Sequence, residues 1–389
     1  MKPFDTFARE TARRLAGARA FGFETVKGLD PVEWTLAMLV SPAQWKDEKV
    51  IRVTHAGLRE AAGLPADKDR YSFNELTSHA GFLQAAEKVH EKLRQDREAK
   101  LDPVEREIST LYDSLGVMGG IFSGEAWRVI PHPTDPSGTW FSLADLDQTD
   151  AAVAQRIKTL MAALVVAYRD GDRANVGTAA AALKRRLRDL SPQVYPSEAD
   201  LQREVHYNSF KPFRVAWALY LAGFLLLLVS LAASRAAPGR IGLGFVVAAF
   251  AVHAYGMTIR SLISGHPPVT NMYESVIWVA WGAVLFSLIF EAIYRAGYFA
   301  ACASAVAVIS LILADNVPIM NGSIDPLVPV LRDNMWLTIH VLTITLSYAA
   351  FFLAMAIGHV NLGLYFFAPG KKALLGTLSL FLYRCLQVG

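Results

Sequence analysis

The distribution of charge along this 389-residue chain constrains its fold more than any other feature. Of 38 basic and 35 acidic side chains, only 14 lie beyond Pro212. Before that point the chain is written for water, and after it for lipid. A bilayer core about 30 Å thick takes about 20 apolar residues per helix. Runs of that kind recur at 214–233, 241–259, 275–294, 298–314 and 335–367, and a sixth begins near 373. The fifth is long enough to require tilt or projection beyond the membrane. A β-barrel would alternate polar and apolar residues, so unbroken apolar runs point to helices. The expected fold is mainly α. A helix-rich soluble domain over 1–212 precedes a polytopic helical membrane domain over 213–389, with five spans and the start of a sixth.

Composition excludes several classes. The chain is 53% hydrophobic, which rules out disorder. A net charge of +3 with no dominant basic cluster gives no footprint for nucleic acid. Cys302 and Cys385 both sit in apolar runs, and no C-x-x-C occurs. That excludes a disulfide framework, a zinc ribbon and a thioredoxin-type pair, and without C-x-x-C-H the chain is not itself a c-type cytochrome. Membrane lipid is an expected partner.

Short loops set the orientation. Arg235, Arg240, Arg295, Lys371 and Lys372 fall on one side, which is read as cytoplasmic. Arg260 and Arg332 fall on the other, with Asp315, Asp325 and Asp333. Residues 1–212 then face the extracytoplasmic side. Lys211 and Arg214 lie on that same side, next to a long domain where the rule has less force. The N-terminal MKPFDTFARETARRL contains no apolar signal-peptide core, so either a membrane segment is expected further upstream, the favoured reading, or the orientation is inverted.

The soluble half reads as helices with short extended pieces. Asp30-Pro31 starts a helix through VEWTLAMLV, and residues 79–100 give a helix with a charged face. KVIRVTH, RVIPHP and TWFSLADL read as short strands or extended segments, and 147–190 as two helices split near Asp170-Gly171-Asp172. His55, His79, His90, His132 and His206 lack metal-ligand spacing and read as ordinary histidines.

Ionisable groups within membrane spans are functional candidates by default. His253 lies towards the outer end of the second span, His266 in the following outer loop, and His340 about five residues into the fifth span. All three are thereby placed towards one membrane face. Neutral imidazole is a good axial ligand for haem iron. Tyr273, Trp278, Trp281, Trp336 and Tyr348 offer aromatic walls for a flat macrocycle. The alternative is that His253 and His340 hydrogen-bond across helices while the aromatics form an interfacial belt. His359, towards the inner half of the fifth span, reads as structural. In GHPPVTNMYES (265–275), Asn271 can cap the third span and Glu274 can close a capping box. Glu291 and Arg295 read as an i,i+4 ion pair.

GHPPVTNMYES followed by Trp278-x-x-Trp281, together with DPLVPVLRDNMWLTIHVLTITLSYAAFFLAM (325–355), resembles the CcsA/ResC family of cytochrome c biogenesis proteins. The stretch 204–221 is similar to the junction before the first CcsA-type span in fused members. The resemblance covers about 204–389, and it extends with less detail to the soluble half. It implies a System II role: haem b is the transported substrate, presented for covalent attachment to an apocytochrome c as part of a haem lyase. Further biogenesis subunits are implied as partners. His340 maps onto an external haem-ligating histidine, and His253 is a weaker match for a second iron ligand. His266, Tyr273, Trp278, Trp281 and Trp336 join them as expected cofactor-binding residues. The family's tryptophan-rich W-W-D loop and second external histidine are not in this sequence. The expectation is therefore an internal fragment carrying a partial haem site. The competing reading is a polytopic transporter or channel with an exported binding domain.

Overall fold

A computed structural model describes residues 3–16, 26–96, 99–132, 140–317, 320, 322–324 and 335–389. It divides into two compact units, Met1–Leu201 and Gln202–Gly389. The division falls eleven residues ahead of the charge break at Pro212.

In the first unit, α1 (Phe4–Ala16), α2 (Pro31–Val40) and α3 (Pro42–Lys46) precede the strand β1 (Ile51–Arg52). Asp30 accepts from the Val32 and Glu33 amides, and Pro31 is pre-set for the first turn of α2. Next come α4 (Ala56–Ala62), β2 (Arg70–Tyr71), α5 (Phe73–Thr77), α6 (Ala80–Gln95) and α7 (Pro103–Ser123). β1 pairs antiparallel with β2, placing Ile51 opposite Tyr71. Two histidines act as helix caps: the Nδ1 atoms of His55 and His79 accept from Leu58 and Phe82. α7 starts with a full capping box between Asp102 and Glu105. Trp34, Met38, Phe82 and Met118 fill the core of these elements. The antiparallel strands β3 (Arg128–Ile130) and β4 (Phe141–Ser142) follow.

The helices α8 (Ala151–Arg169) and α9 (Arg173–Leu190) break at the expected Asp-Gly-Asp turn, and Asp172 caps α9. α8 is long and apolar enough to cross a membrane, although the sequence reading placed it in the water-facing half. Much of its apolarity comes from small alanines, and it packs against α9, whose Lys184, Arg185, Arg186 and Arg188 are hydrophilic.

The helix α10 (Glu198–Phe210) is followed by α11 (Pro212–Ala233), with Lys211 between them at φ 49°. The bundle continues with α12 (Ala236–Ser264), α13 (Met272–Tyr294), α14 (Tyr298–Asn316), α15 (Met335–Phe367) and α16 (Lys372–Val388). Each expected span is a helix here. α12 starts five residues earlier and ends five later than its apolar run. The lengths and apolarity of the spans α11 to α15 define a multi-pass helical membrane protein. α11 packs on α12 and α14, α13 on α14 and α15, and α15 on α16. Asp325, Arg332 and Asp333, used above to assign the outer face, lie outside the described residues.

Candidate functional site

The starts of α11 and α13 and the ends of α12 and α14 share one face of the bundle, marked by two ion pairs. Arg214 Nε donates to Asp315 Oδ2 at 2.7 Å, joining α11 to α14. Deeper in, Arg260 on α12 is only 1% exposed. Its Nε donates to Glu274 Oε1 at 2.8 Å, its Nη1 to the Gly322 carbonyl at 2.8 Å and its Nη2 to the Ser323 carbonyl at 2.9 Å. The guanidinium also lies 5.0 Å from the centre of the Tyr273 ring. A charge buried among spans is tolerable only when paired and hydrogen-bonded. One carboxylate and two backbone carbonyls meet that condition here.

This arrangement explains most of GHPPVTNMYES. Asn271 Oδ1 accepts from the Glu274 amide at 2.9 Å, capping α13 as expected. The capping box is only half made. Glu274 Oε2 reaches past Asn271 to the Thr270 amide at 3.0 Å and its hydroxyl at 2.6 Å, while Oε1 is held by Arg260. Tyr273 is buried, with its ring against Phe213 and Arg260. His266 is half-buried in the α12–α13 loop, its Nδ1 3.1 Å from the Pro267 carbonyl. Sequence reasoning missed Arg260 as the partner of Glu274. The available signal was a lone cation and a lone carboxylate at the ends of successive apolar runs.

His340 stands on the second turn of α15 with its side chain exposed. Trp336, one turn earlier, is 77% exposed, and Tyr348, two turns later, is also exposed. Spacings of four and eight residues place the three on one helix face. The other expected aromatics sit elsewhere. Trp278 and Trp281 stack at 5.3 Å, and Phe250 stacks on Trp281 at 5.1 Å, closing the α12–α13 contact. Trp278 Nε1 donates to the Leu342 carbonyl of α15 at 3.4 Å.

His253 is fully buried, eleven residues before the end of α12. Its ring lies edge-on to Phe213 at 5.5 Å and to Tyr220 at 6.0 Å, with Nδ1 3.5 Å from the Tyr220 hydroxyl. It does not stand at the exposed surface that carries His340. His359 is exposed, its Nδ1 2.8 Å from the Met355 carbonyl, and it lines an apolar cavity of about 420 Å³ between α15 and α16. Glu291 does not pair with Arg295. It accepts from the Gly297 amide at 2.6 Å and from the Ala300 amide at 3.4 Å, capping α14, while Arg295 turns into the left-handed region at φ 51°. Among the described residues no group of three or more His, Cys, Asp or Glu is placed to hold a metal ion.

Fold and site together define a polytopic helical membrane protein that displays a histidine near one end of a long span. Residues 269–389 match the family described as cytochrome C assembly protein. Protein NrfI of Wolinella succinogenes is 28% identical over 385 residues, covering 94% of this chain and 40% of that protein. Cytochrome c biogenesis protein CcsA of Synechococcus sp. (strain CC9902) is 35% identical over 146 residues, 36% of this chain and 47% of its own. The CcsA of Prochlorococcus marinus (strain NATL1A) is 35% identical over 172 residues, 42% of this chain and 52% of its own. The chain thus spans about half or less of the length of these relatives. Over residues 269–389 the chain matches the cytochrome c assembly family, and it is similar to the CcsA proteins of cytochrome c biogenesis.

Proposed function

We propose that this chain handles haem b at the extracytoplasmic face of a bacterial inner membrane and presents it for covalent attachment to apocytochrome c. It does so within a longer haem lyase or together with further biogenesis subunits. One observation carries the reading: within the segment that matches the cytochrome c assembly family, His340 is displayed on an exposed aromatic face beside Trp336. An imidazole there would supply one ligand to iron, and the adjoining indole and phenol suit a flat apolar ring. Proximity does most of the chemical work, because holding the substrate's vinyl groups where the incoming thiols arrive turns an encounter into a local reaction. In this reading His253 is a packing residue, and Tyr273, Trp278 and Trp281 support the bundle beneath the face. His266 lines the same face from its loop, and residues 1–212 stand on the outer side. The family match favours this function over a transporter or channel.

The test is an absorption spectrum of the purified full chain with added haem, with and without His340→Ala. The expected result is a Soret band that shifts or is lost in the variant. An identical band in both proteins would overturn the assignment of His340.

A further inference from the structure

The contacts of Arg260 reach beyond the two helices that an ion pair would need to join. Two of its three donating nitrogens go to the backbone carbonyls of Gly322 and Ser323, at 2.8 and 2.9 Å. Those residues belong to the connection between α14 and α15, which leads into the helix that displays His340. Gly322 also lies under the Tyr273 ring, so that an added Cβ would sit 3.4 Å from Cε2. Glu274 holds the guanidinium through Nε while its other oxygen fixes Thr270 at the start of α13. One buried cation therefore gathers the end of α12, the start of α13 and the α14–α15 connection at a single point.

A pair serving only to join helices does not explain this arrangement. Well-packed apolar residues join helices as well or better, because burying two charges carries a large desolvation penalty. They offer nothing to a backbone carbonyl. The geometry points to Arg260 and Glu274 as a positioning latch. It pins Gly322 and Ser323, between α14 and α15, to the bundle and so sets how the His340 end of α15 is presented to haem. The second part of that statement rests on the proposed role of His340. The first part, pinning of the connection, stands on the contacts alone.

Two full-chain variants separate the latch from a structural tie. Arg260→Lys keeps the charge and loses the planar fork that reaches both carbonyls. The double variant Arg260→Met with Glu274→Leu removes both charges together and leaves an apolar contact that is expected to fold. Each is combined with Ser323→Cys and labelled with a membrane-impermeant maleimide, the native cysteines being buried. Labelling at position 323 is expected to accelerate on the order of tenfold in both variants, as loss of charge-assisted hydrogen bonds releases the segment. Haem spectra of the same two variants, without the added cysteine, are expected to show a weakened His340-dependent Soret band that free imidazole partly restores. Unchanged labelling in a folded double variant would overturn the latch. Accelerated labelling with a haem spectrum identical to the parent's would overturn the link to His340. An absent His340 effect in the parent chain would instead overturn the functional reading and leave the labelling result standing.

Discussion

Trp278 donates its indole N–H to the Leu342 carbonyl across the α13–α15 contact, two residues beyond His340. Trp281 and Phe250 continue the stack behind it. The tryptophans that the sequence offered as walls of a haem slot thus bear on the helix that carries the histidine. Trp278→Phe should keep the ring stack and lose the hydrogen bond, lowering stability by about 0.6 kcal/mol, the usual size of an interhelical bond in lipid. Trp278→Leu should lower it further by removing the stack as well. Thermal unfolding in detergent gives the ranking. Equal melting temperatures for parent and both variants would refute the contact's importance.

His253 leads to a prediction about a buried polar pair. Its imidazole is enclosed by Phe213 and Tyr220, and its Nε2 lacks a hydrogen bond among the described residues. Its Nδ1 lies 3.5 Å from the buried Tyr220 hydroxyl, so removing the imidazole alone strands that hydroxyl, whereas replacing both polar partners by apolar groups of similar shape is nearly neutral. His253→Leu combined with Tyr220→Phe should therefore unfold close to the parent's temperature, His253→Leu alone at a lower one, and both should bind added haem with an unchanged spectrum. A spectrum altered as strongly as in His340→Ala would restore His253 as an iron ligand.

These outcomes show which parts of the molecule the sequence makes legible. Span positions are readable because hydrocarbon thickness dictates helix length, and Met335–Phe367 coincides with its apolar run. Helix starts in the first unit are readable where a side chain caps them, as at Asp30 and Asp172. The faces of the spans are a different matter. A helix apolar all round has no stripe that separates lipid from bundle. Trp281, packed inward, and Trp336, turned outward, are therefore indistinguishable until neighbours are known. Glu291 illustrates a local limit: its i,i+4 spacing to Arg295 is right, but the chain leaves the helix at Arg295 and brings the Gly297 amide to the carboxylate. The Arg260–Glu274 pair depends on two helices meeting, which no local spacing encodes.

Close approach of α11 and α12 rests on two glycines. A Cβ at Gly223 would lie 2.9 Å from Val246 Cγ2 and 3.0 Å from the Gly242 carbonyl oxygen. The second obstacle is backbone and cannot rotate away. Gly223→Ala should therefore destabilise the bundle by about 1–3 kcal/mol through overpacking, despite alanine's better helix propensity. A methyl group added at Gly244 would meet nothing within 4 Å, so Gly244→Ala should be neutral or stabilising. Comparing the two melting temperatures in the same detergent separates crowding from propensity, and a Gly223→Ala protein as stable as Gly244→Ala would contradict the close contact.

The start of α7, a helix outside the candidate membrane spans, gives a pH-dependent prediction. Lys92 Nζ donates to Glu105 Oε2 at 2.6 Å, and the Asp102 amide donates to the same oxygen at 2.9 Å. The Lys92 hydrogen bond, followed by the Asp102 amide, holds the Glu105 carboxyl below its ordinary value of 4.5. A carboxylate with a lower pKa in the folded state stabilises that state once the unfolded chain has lost its proton. Its contribution is complete well above pH 4.5 and fades as the pH falls through the folded-state value. Glu105→Gln removes the titration and keeps most of the side chain's shape. The stability difference between parent and Glu105→Gln should therefore be flat from pH 6 to 8 and should shrink as the pH drops below about 4.5. Denaturant unfolding of the full chain, followed through the first unit across that range, checks the slope. A difference that grows on acidification would show that the cap and the Lys92 contact do not favour the ionised form.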